Sequence, residues 1–268
     1  MLLVVKAGGR VLDQGLSNIV LDVKPLLSEH DVVFVHGGGI AVTEIATRLG
    51  KEQLFITSPG GFRSRYTDRE TVDIYTMVMA GKLNKELVVQ FQAHCINATG
   101  LSGLDGALIR AVRKKKLVIV DQRGRKRAIA GGYTGRIVGV NVGLLRLLLD
   151  NGFVPVVSSI ALSEEFEPLN VDGDRAAACL AGALKADRLL LLTDVDGLVL
   201  DGKVVPRLTP AEAKDALKQI GGGMITKVHA AIEALTLGSE EVVITSGLVD
   251  HPISGALQRT SGTVINHG

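Results

Sequence analysis

Short runs of consecutive apolar residues alternate along this chain with longer stretches in which apolar residues recur every three or four positions. The short runs lead into glycine-rich or polar turns, as in residues 2–9 and 32–39. Similar runs occur at residues 154–157, 189–192 and 242–244. Such runs, separated by helical periodicity, are typical of buried parallel strands joined by helices. The pattern therefore predicts an α/β fold with a sheet covered by helices.

The helical stretches are less sharply bounded than the strands. Their ends are predicted from polar residues, glycines and prolines that flank each periodic segment. Helices are predicted over residues 17–28, 40–49, 69–92, 141–151, 175–184 and 210–220, with another opening at residue 221.

The composition narrows the fold class and the compartment. The 268 residues are 46% hydrophobic but only 3% aromatic, with no Trp, so the core must be mainly aliphatic. This length fits one large α/β domain or two lobes. No apolar run reaches the roughly 18 residues of a membrane span, and no signal-peptide pattern is present, so we expect a cytosolic protein without membrane contact. Cys95 and Cys179 lack metal or redox spacing and are predicted to be buried small hydrophobes.

A lysine interrupts the first apolar run just before two glycines, Gly8 and Gly9. A buried strand tolerates the ammonium group of Lys6 only where an anion meets it, and glycines let backbone N–H groups approach that anion. The turn at residues 36–39 repeats this design, so two glycine loops are expected to converge at one edge of the sheet. The stretch predicts a phosphate site; the alternative is a tight turn with Lys6 extended to solvent.

The sequence disfavours several common kinds of site. No Walker A sequence occurs, no Gly-x-Gly-x-x-Gly follows a strand, and no cluster has the spacing of zinc ligands. The stretch at residues 170–174 lacks the remaining ligands of a calcium loop. Phosphoryl transfer remains possible in principle, because lysines, backbone N–H groups and Mg²⁺ can supply positioning and charge neutralisation without a Walker loop.

Basic residues are concentrated between residues 110 and 127. This segment holds nine basic residues against one acid, a local charge of +8 on a chain whose net charge is +2. Within it, residues 117–120 and 127–129 flank a polar turn and predict a β-hairpin. Clustered charge of this kind favours a specific acidic partner. A nucleic acid is disfavoured because the hairpin has no stacking aromatic residue before Tyr133.

Six short motifs occur in a fixed order that covers nearly the whole chain: Lys6-x-Gly8-Gly9, His36-Gly37-Gly38-Gly39, Gly61-Phe62-Arg63, Asn170-x-x-x-Asp174, Thr193-Asp194-Val195-x-Gly197 and Gly223-Met224-x-x-Lys227. In this order the chain strongly resembles the amino-acid kinase family, specifically its acetylglutamate kinase branch. The resemblance implies a three-layer αβα sandwich with an open, mainly parallel central sheet. It also implies a homodimer, an N-terminal lobe (residues 1–160) for the acyl amino acid, the carrier and dimerisation, and a C-terminal lobe (residues 161–268) for ATP.

The resemblance implies a role for each motif. Lys6 and Lys227 would stabilise negative charge on the phosphoryl group, and Asp174 would hold both ammonium groups. Phosphoryl oxygens would accept hydrogen bonds from the backbone of Gly8, Gly9 and Gly38. The amino-acid substrate would be held by Gly38, Gly39, Arg63 and Asn170, with Arg63 on its α-carboxylate. The nucleotide would be bordered by Thr193, Asp194, Val195, Gly197, Gly223 and Met224.

Some assignments keep an alternative. ATP is the implied co-substrate, and Mg²⁺ would be held chiefly by the phosphates, so no protein residue is predicted as a metal ligand. From the residues alone, Arg63 and Arg65 are both candidates for binding a carboxylate, because guanidinium groups pair bidentately with carboxylates. Asp174 has a second interpretation as the N-cap of the alanine-rich helix that follows it.

Two departures from ordinary acetylglutamate kinases indicate a narrower group. The loop at residues 62–68 is longer, and the basic hairpin ends in Gly132-Tyr133-Thr134-Gly135. Both look like the archaeal and Thermus-type kinases that phosphorylate the side-chain carboxylate of 2-aminoadipate or glutamate linked to a small acidic carrier protein. The expected carrier contacts are Arg65, Lys114, Lys115, Lys116, Arg125 and Lys126. The alternatives are an ordinary N-acetylglutamate kinase and, more distantly, a non-catalytic nucleotide or nucleic-acid binder.

Overall fold

The computed structural model describes all residues, 1–268. The first part of the chain forms, in order, β1 (Leu2–Ala7), α1 (Gly9–Leu26), β2 (Asp31–His36), α2 (Gly39–Arg48), β3 (Phe55–Thr57), β4 (Arg63–Arg65), α3 (Arg69–Thr76), a π-helical segment (Met77–Leu83), α4 (Asn84–Ala93), β5 (Ala98–Gly103), a 3₁₀ turn (Asp105–Ala107), β6 (Ile109–Arg113), β7 (Lys116–Val120), β8 (Lys126–Ala130), β9 (Gly135–Val140) and α5 (Val142–Asp150).

The second part begins with the longest strand. Its elements are β10 (Val154–Leu162), β11 (Pro168–Asn170), α6 (Gly173–Leu184), β12 (Arg188–Thr193), β13 (Val199–Leu200), β14 (Lys203–Val204), β15 (Arg207–Leu208), α7 (Pro210–Ala216), α8 (Gly222–Leu237), β16 (Glu241–Ser246), α9 (Pro252–Leu257) and β17 (Thr263–Asn266). No helix combines the length and the apolar character that crossing a membrane requires.

One eleven-stranded sheet runs through both parts of the chain. Its main path is β15-β17-β16-β12-β1-β2-β10-β6-β9, and β5 and β11 also pair with β10. The pairs from β16 to β10 are all parallel. Antiparallel pairs occur where β17 joins β16, where β11 joins β10 and where β9 joins β6. The sheet is therefore open and mainly parallel, as predicted.

The side chains of β1 alternate between two helical layers. Leu3 and Val5 pack in one apolar cluster with residues of α1, α4 and α9. Val4, between them, packs in a second cluster with residues of α6 and α8. Because both faces of the strand are covered, every position can be apolar, which explains the continuous run in the sequence. The αβα sandwich is confirmed.

Helices α6 and α8 lie unusually close together. Their contact surfaces are rich in buried alanines, and an added Cβ at Gly182 would lie 2.2 Å from the Cβ of Leu237. Small side chains allow two helix backbones to approach closely. The close approach also fixes the relative positions of residues at the N-terminal ends of both helices.

Helix α1 differs from the prediction. It begins at Gly9, directly after β1, and buries Val11, Gly15 and Ile19. An added Cβ at Gly15 would lie 2.2 Å from the carbonyl oxygen of Gly247. Gly15 is therefore present because of close packing, although glycine has a low helix propensity and obscured the first turns of the helix in the sequence.

The two small hairpins and the two cysteines differ in how well the sequence predicted them. The β7–β8 hairpin is confirmed and forms a separate two-stranded sheet. The β3–β4 hairpin was not predicted, because that segment was interpreted as a polar loop. Cys179 is buried, but the prediction for Cys95 was wrong. Cys95 is exposed in the turn after α4 and has a φ of 57°.

We expect Gly15→Ala to lower the free energy of unfolding by about 1–3 kcal/mol, because the added methyl group overlaps the carbonyl oxygen of Gly247. Gly143→Ala is the matched control, since Gly143 is exposed in α5 and an added Cβ there would lie 3.5 Å from its nearest neighbour. This control should change stability by less than about 1 kcal/mol. Urea unfolding of both variants measures the difference, and equal stabilities would contradict the close contact.

Candidate active site

The carboxyl ends of the central strands meet along one edge of the sheet. There, Ala7 of β1 pairs with His36 of β2, and Ser158 of β10 pairs with His36 from the other side. A cavity of about 860 Å³ opens at this edge. It lies in the position where open α/β sheets bind ligands, beyond the carboxyl ends of the strands. Its walls include both glycine turns, the β3–β4 hairpin, part of the β7–β8 hairpin and the N-terminal turns of α6.

Asp174 lies between two lysines at the floor of this cavity. Its carboxylate is 2.6 Å from Nζ of Lys6 and 3.1 Å from Nζ of Lys227. Asp174 and Lys6 are each 6% exposed, and Lys227 is 9% exposed. Burial by itself would raise the pKa of Asp174, but attraction and hydrogen bonds from both lysines outweigh it and lower that pKa to about 2. The carboxylate is therefore ionised at neutral pH and holds two ammonium groups together.

The N-cap of α6 is Asp172, whose carboxylate accepts a hydrogen bond from the backbone N–H of Arg175 at 2.9 Å. The capping interpretation of Asp174 is therefore wrong, because the helix begins two residues earlier than that interpretation requires. Burial and the nearby charge of Asp174 raise the pKa of Asp172. Asp172 lines the cavity. The sequence reasoning did not single it out.

The two glycine turns touch, as predicted. An added Cβ at Gly37 would lie 3.6 Å from Cα of Gly8, and Gly37 N–H donates to the carbonyl of Ala7 at 2.9 Å. Gly8 and Gly38 are the N-cap residues of α1 and α2. Helix N-termini present unpaired N–H groups and a positive dipole end, so both helices offer anion-binding donors at the cavity wall.

Gly38 has no room for a side chain. A Cβ there would lie 2.2 Å from Cδ1 of Leu83 and 2.7 Å from Sδ of Met79. Both neighbours belong to the π-helical segment, which therefore packs directly against the second glycine turn. A side chain at Gly38 would have to displace Leu83 and Met79, so close packing favours glycine here, whereas the φ of 170° lies outside the left-handed region.

Arg63 and Arg65 occupy different environments although both lie on β4 and both line the cavity. Arg63 is exposed, with its guanidinium 5.0 Å from the ring centre of Phe55. Arg65 is 7% exposed and donates to the carbonyl of Gly39 at 2.7 Å and to Thr43 Oγ1 at 2.8 Å. Neither arginine has an acidic partner, and burial lowers the pKa of Arg65. The expected carrier contact at Arg65 is therefore not supported, because a docking protein cannot reach a buried guanidinium.

Asn170 lies at the end of β11, where its side chain donates to Thr67 Oγ1 at 2.9 Å. This bond links the second half of the chain to the residues just after β4, the strand that carries both arginines. Asn170 also lines the cavity, together with Gly38 and Gly39. The structure thus brings together all four residues expected to hold the amino-acid substrate, and Arg63 and Gly39 are the exposed members.

The basic hairpin forms another wall of the cavity. Leu117, Val118 and Ile119 of β7 line it. Lys114, just before this strand, also lines the cavity and is half-buried, and burial followed by repulsion from Arg175 lowers its pKa. The other four expected carrier contacts are exposed: Lys115, Lys116, Arg125 and Lys126. Arg125 forms an ion pair with Asp121 inside the hairpin turn, at 2.9 Å.

The residues expected at the nucleotide lie outside the wall of this cavity. Thr193 ends β12 in register with Ser246 of β16, and Asp194 forms an ion pair with Arg10 at 2.7 Å. An added Cβ at Gly197 would lie 2.8 Å from Thr263 Oγ1. A second cavity of about 550 Å³ adjoins this motif and is lined by residues that include Asp196, Arg207, Ser246, Arg259 and Gly262.

Gly223 and Met224 lie in the first turn of α8, one turn before Lys227. Met224 packs against the larger apolar cluster, and an added Cβ at Gly223 would have no neighbour within 4 Å. The turn is therefore open on the side that precedes the buried lysine. The turn lies one helical turn before Lys227, and neither Gly223 nor Met224 lines the main cavity.

Charges in the main cavity are predominantly positive. Its lining carries five basic side chains and three acidic ones: Lys6, Arg63, Arg65, Lys114 and Arg175 against Asp172, Asp174 and Glu233. Lys227 adds a further ammonium group through its contact with Asp174. Glu233 forms a bidentate pair with Arg175, at 2.6 and 2.8 Å. The cavity is therefore suited to an anionic ligand, because the charge that remains is positive and partly shielded from water.

A buried polar pair lies behind the second glycine turn. His36 is fully buried, its Nδ1 lies 3.0 Å from the carbonyl oxygen of Gly37, and its Nε2 lies 3.1 Å from Nδ2 of Asn84. Burial, together with the charges of Lys6 and Lys85, lowers the pKa of His36 to about 4. The ring is therefore neutral at physiological pH. Sequence reasoning identified His36 only as part of a motif and did not identify Asn84.

The fold and the site define an α/β protein with a glycine-lined, positively charged cavity suited to phosphate and carboxylate groups. Residues 1–246 match the amino acid kinase family. The chain belongs to that family.

Curated relatives match over the full length. A Saccharolobus solfataricus protein named LysW-aminoadipate/LysW-glutamate kinase is 46% identical over 268 residues, 100% of both chains. A Cenarchaeum symbiosum protein that carries the same name provisionally is 53% identical over 267 residues, again 100% of both chains.

Solved structures of more distant relatives share the fold. A Streptococcus mutans protein superposes with a TM-score of 0.80 at 22% identity, covering 100% of this chain and 99% of that one. Carbamate kinase from Giardia lamblia, bound to AMP-PNP, gives a TM-score of 0.69 at 18% identity, covering 100% and 98%. At these identities the likeness establishes the fold alone.

The buried neutral His36 predicts a loss of stability in acid. Its folded-state pKa of about 4 lies below the ordinary histidine pKa of 6.5, so the unfolded chain binds the proton first as the pH falls. The contribution is complete above pH 6.5 and disappears as the pH falls towards 4, amounting to about 3 kcal/mol. His36→Asn should therefore lose less stability than wild type between pH 7 and pH 4. Urea unfolding at both pH values measures the free energy of unfolding of each protein. Equal losses of stability in wild type and His36→Asn would contradict a neutral buried ring.

Proposed function

We propose that this protein transfers the γ-phosphoryl group of ATP to the side-chain carboxylate of 2-aminoadipate or glutamate whose α-amino group is linked to a small acidic carrier protein, in the cytosol. The observation that carries the proposal is the buried Lys6–Asp174–Lys227 cluster between two glycine turns in a positively charged cavity. The full-length relatives named LysW-aminoadipate/LysW-glutamate kinase support the substrate and the carrier.

The reaction requires little proton chemistry from the protein. A substrate carboxylate is already ionised at neutral pH, so one of its oxygens attacks the γ-phosphorus directly while the bond to the β-phosphate oxygen breaks. The products are an acyl phosphate and ADP. No general base is needed, which agrees with Asp174 being occupied by two lysines. Positioning and charge neutralisation are therefore the tasks left to the side chains.

The lysine pair and the glycine turns divide these tasks. Lys6 and Lys227 would face the phosphoryl oxygens, where ammonium groups stabilise the charge of the transition state. Backbone N–H groups of Gly8, Gly9 and Gly38 would donate to the same oxygens from the N-termini of α1 and α2. Asp174 would act on the substrate only through the two lysines, because its carboxylate oxygens are already paired with them.

Mg²⁺ fits this site as a companion of the nucleotide. Glu233 is paired with Arg175, and Asp174 is paired with both lysines. Asp172 accepts a hydrogen bond at the N-terminus of α6. The protein carboxylates of the cavity are thus engaged, and phosphate oxygens, which Mg²⁺ prefers in kinases, would supply most of its ligands. The ion would neutralise charge on the β- and γ-phosphates.

The nucleotide itself would extend from the lysine pair towards the second cavity. The stretch from Thr193 to Gly197 and the turn at Gly223 and Met224 would border it. Support comes from the position of Asp196 and Ser246 in the wall of that cavity, next to the end of β12. ATP would thus connect the two cavities along the edge of the sheet, with residues 161–268 contributing most of its contacts.

The α-carboxylate of the substrate is assigned to the two arginines of β4. Arg63 is free to contact it directly, and Asn170 with Gly38 and Gly39 would hold the rest of the amino acid. Arg65 adds a fixed positive charge behind them that no acid neutralises. A buried guanidinium without an acidic partner is stabilised by an anionic ligand, which is the physical reason for this assignment.

The acidic carrier would dock on the basic hairpin. Lys115, Lys116, Arg125 and Lys126 are exposed there, and Lys114 connects their surface to the cavity. Charge of one sign next to the cavity mouth would steer an acidic protein so that its attached substrate enters. We also propose a homodimer, which the resemblance implies; Met77 and Val89 are exposed apolar residues of the α3–α4 segment that a partner could cover.

Activity should depend on the lysine pair. Wild type incubated with MgATP should form an acyl phosphate on carrier-linked 2-aminoadipate or carrier-linked glutamate, trapped as a hydroxamate, and act weakly on free N-acetylglutamate. Lys6→Ala should lower kcat by about 10²–10³-fold, the scale of losing one preorganised charge donor, with a smaller change in KM. Preference for free N-acetylglutamate would identify an ordinary acetylglutamate kinase, and an unchanged kcat in Lys6→Ala would refute the role of the lysine.

Carrier recognition should depend on exposed charge in the hairpin. Replacing Lys115, Lys116 and Lys126 by glutamate should raise KM for the carrier-linked substrate about tenfold or more, because the steering charge is reversed. The matched control replaces Lys203, Lys214 and Lys218, which are exposed at the other end of the chain, and gives the same net charge. Added salt should narrow the gap between wild type and the hairpin variant. Equal effects of both triple replacements would show that the hairpin is only a solvated surface.

A further inference from the structure

The second glycine turn needs a support that its own residues cannot supply. Gly37, Gly38 and Gly39 have no side chains, and glycine has the widest conformational freedom of any residue. Donors that stabilise a transition state must be held in place before the reaction. The contacts around this turn therefore show what fixes its backbone.

His36 contacts the turn directly. Its Nδ1 lies 3.0 Å from the carbonyl oxygen of Gly37. A carbonyl oxygen only accepts hydrogen bonds, so the ring hydrogen must be on Nδ1. Nε2 is then an acceptor, which matches its 3.1 Å contact with the amide nitrogen of Asn84. Both ring nitrogens are thereby used, and the ring is fixed in one tautomer.

Asn84 is held just as firmly. Its side-chain nitrogen also lies 2.8 Å from the carbonyl oxygen of Val156 and 3.2 Å from that of Leu101. Its side-chain oxygen accepts from Lys85 Nζ at 3.0 Å, and this bond identifies which end of the amide is the nitrogen. The amide nitrogen has two hydrogens for these three acceptors, so one hydrogen is shared, and Asn84 thus joins β10, β5 and the histidine of β2.

The helical segment before Asn84 contacts the same turn. Asn84 directly follows the π-helical segment, whose Leu83 and Met79 pack on Gly38. A π-helical stretch changes the rotation of the residues that follow it, and such stretches occur frequently at functional sites. One helix therefore contacts the turn twice, through apolar side chains at Gly38 and through the Asn84–His36 pair at Gly37.

We propose that His36 is a positioning residue for the phosphoryl-transfer reaction. It holds the Gly37–Gly39 turn in its donor geometry through the Nδ1–H···O=C bond to Gly37, and Asn84 enforces this bond by donating to Nε2. The inference rests on the proposed function, because the reaction is what makes the position of the turn matter. Neither residue touches the substrate in this arrangement.

Two substitutions separate positioning from packing. In His36→Asn, the amide nitrogen can occupy the place of Nδ1 and donate to Gly37, but the contact with Asn84 is lost. In His36→Gln, the longer side chain can reach Asn84 but loses the donor at the Nδ1 position. Both variants replace the same buried ring with an amide side chain. We expect similar decreases in Tm for the two variants.

Their kinetics should differ. His36→Asn should retain kcat to within about threefold, whereas His36→Gln should lose at least about tenfold in kcat, with KM for ATP changed less than kcat. The amide resonance of Gly38 should shift on addition of MgATP in His36→Asn as in wild type, and shift differently in His36→Gln. Equal kcat in both variants would overturn the proposal, as would a loss confined to KM.

A measurement on wild type keeps the proposal testable if a variant does not fold. The ¹⁵N resonances of the His36 ring should show the hydrogen on Nδ1 and no protonation between pH 5 and pH 8. A hydrogen on Nε2 would overturn the assignment. The tautomer is independent of the substrate, so wild type that fails to phosphorylate any carrier-linked amino acid would refute the proposed function and leave this measurement unaffected.

Discussion

The attraction between Asp174 and two buried lysines is the interaction on which the site depends. Burying an ammonium group without a counter-ion is strongly unfavourable, and here two such groups lie on one carboxylate, at 2.6 and 3.1 Å. The three residues come from β1, α6 and α8. Their convergence requires β1 at the centre of the sheet and α6 packed closely on α8 through small side chains. The arrangement of the core therefore determines the charge geometry.

The remaining positive charge also explains the rest of the cavity. Even with Asp172 and Glu233 counted beside Asp174, the basic groups at the cavity outnumber the acidic ones, and the two arginines of β4 have no acidic partner at all. Such a site is most stable when anions occupy it. The two glycine turns add helix N-termini at the same place, so backbone and side chains favour the same kind of ligand. This consistency is what makes phosphoryl transfer to a carboxylate the best-supported reaction.

The basic hairpin presents two different surfaces. Apolar residues of β7 close the cavity, while lysines next to them face solvent. Because the hairpin is a separate two-stranded sheet, its surface charge can be large without disturbing the central sheet. Lys114 lies at the junction of the two surfaces. Burial and the charge of Arg175 lower its pKa, and the charge of Asp172 raises it. The hairpin thus joins an exposed basic surface to the wall of the cavity.

The sequence by itself determined the features that depend on local pattern. Continuous apolar runs identified the buried strands because parallel strands covered on both faces need no polar alternation. The motif order identified the family, and the placement of an aspartate between the two lysines followed from it. The β7–β8 hairpin was also predictable, since its strands and turn are close in sequence.

Only the tertiary structure decided features that depend on distant neighbours. Arg63 and Arg65 lie on the same face of β4, yet α2 covers Arg65 and leaves Arg63 exposed. Asp172 and Asp174 are two residues apart, and the helix start decides which one caps α6. Asn84 reaches His36 across 48 positions of sequence after a π-helical segment that no propensity indicates. Burial, capping and hydrogen bonding at these residues are set by elements far away in the chain, and a local pattern contains no information about them.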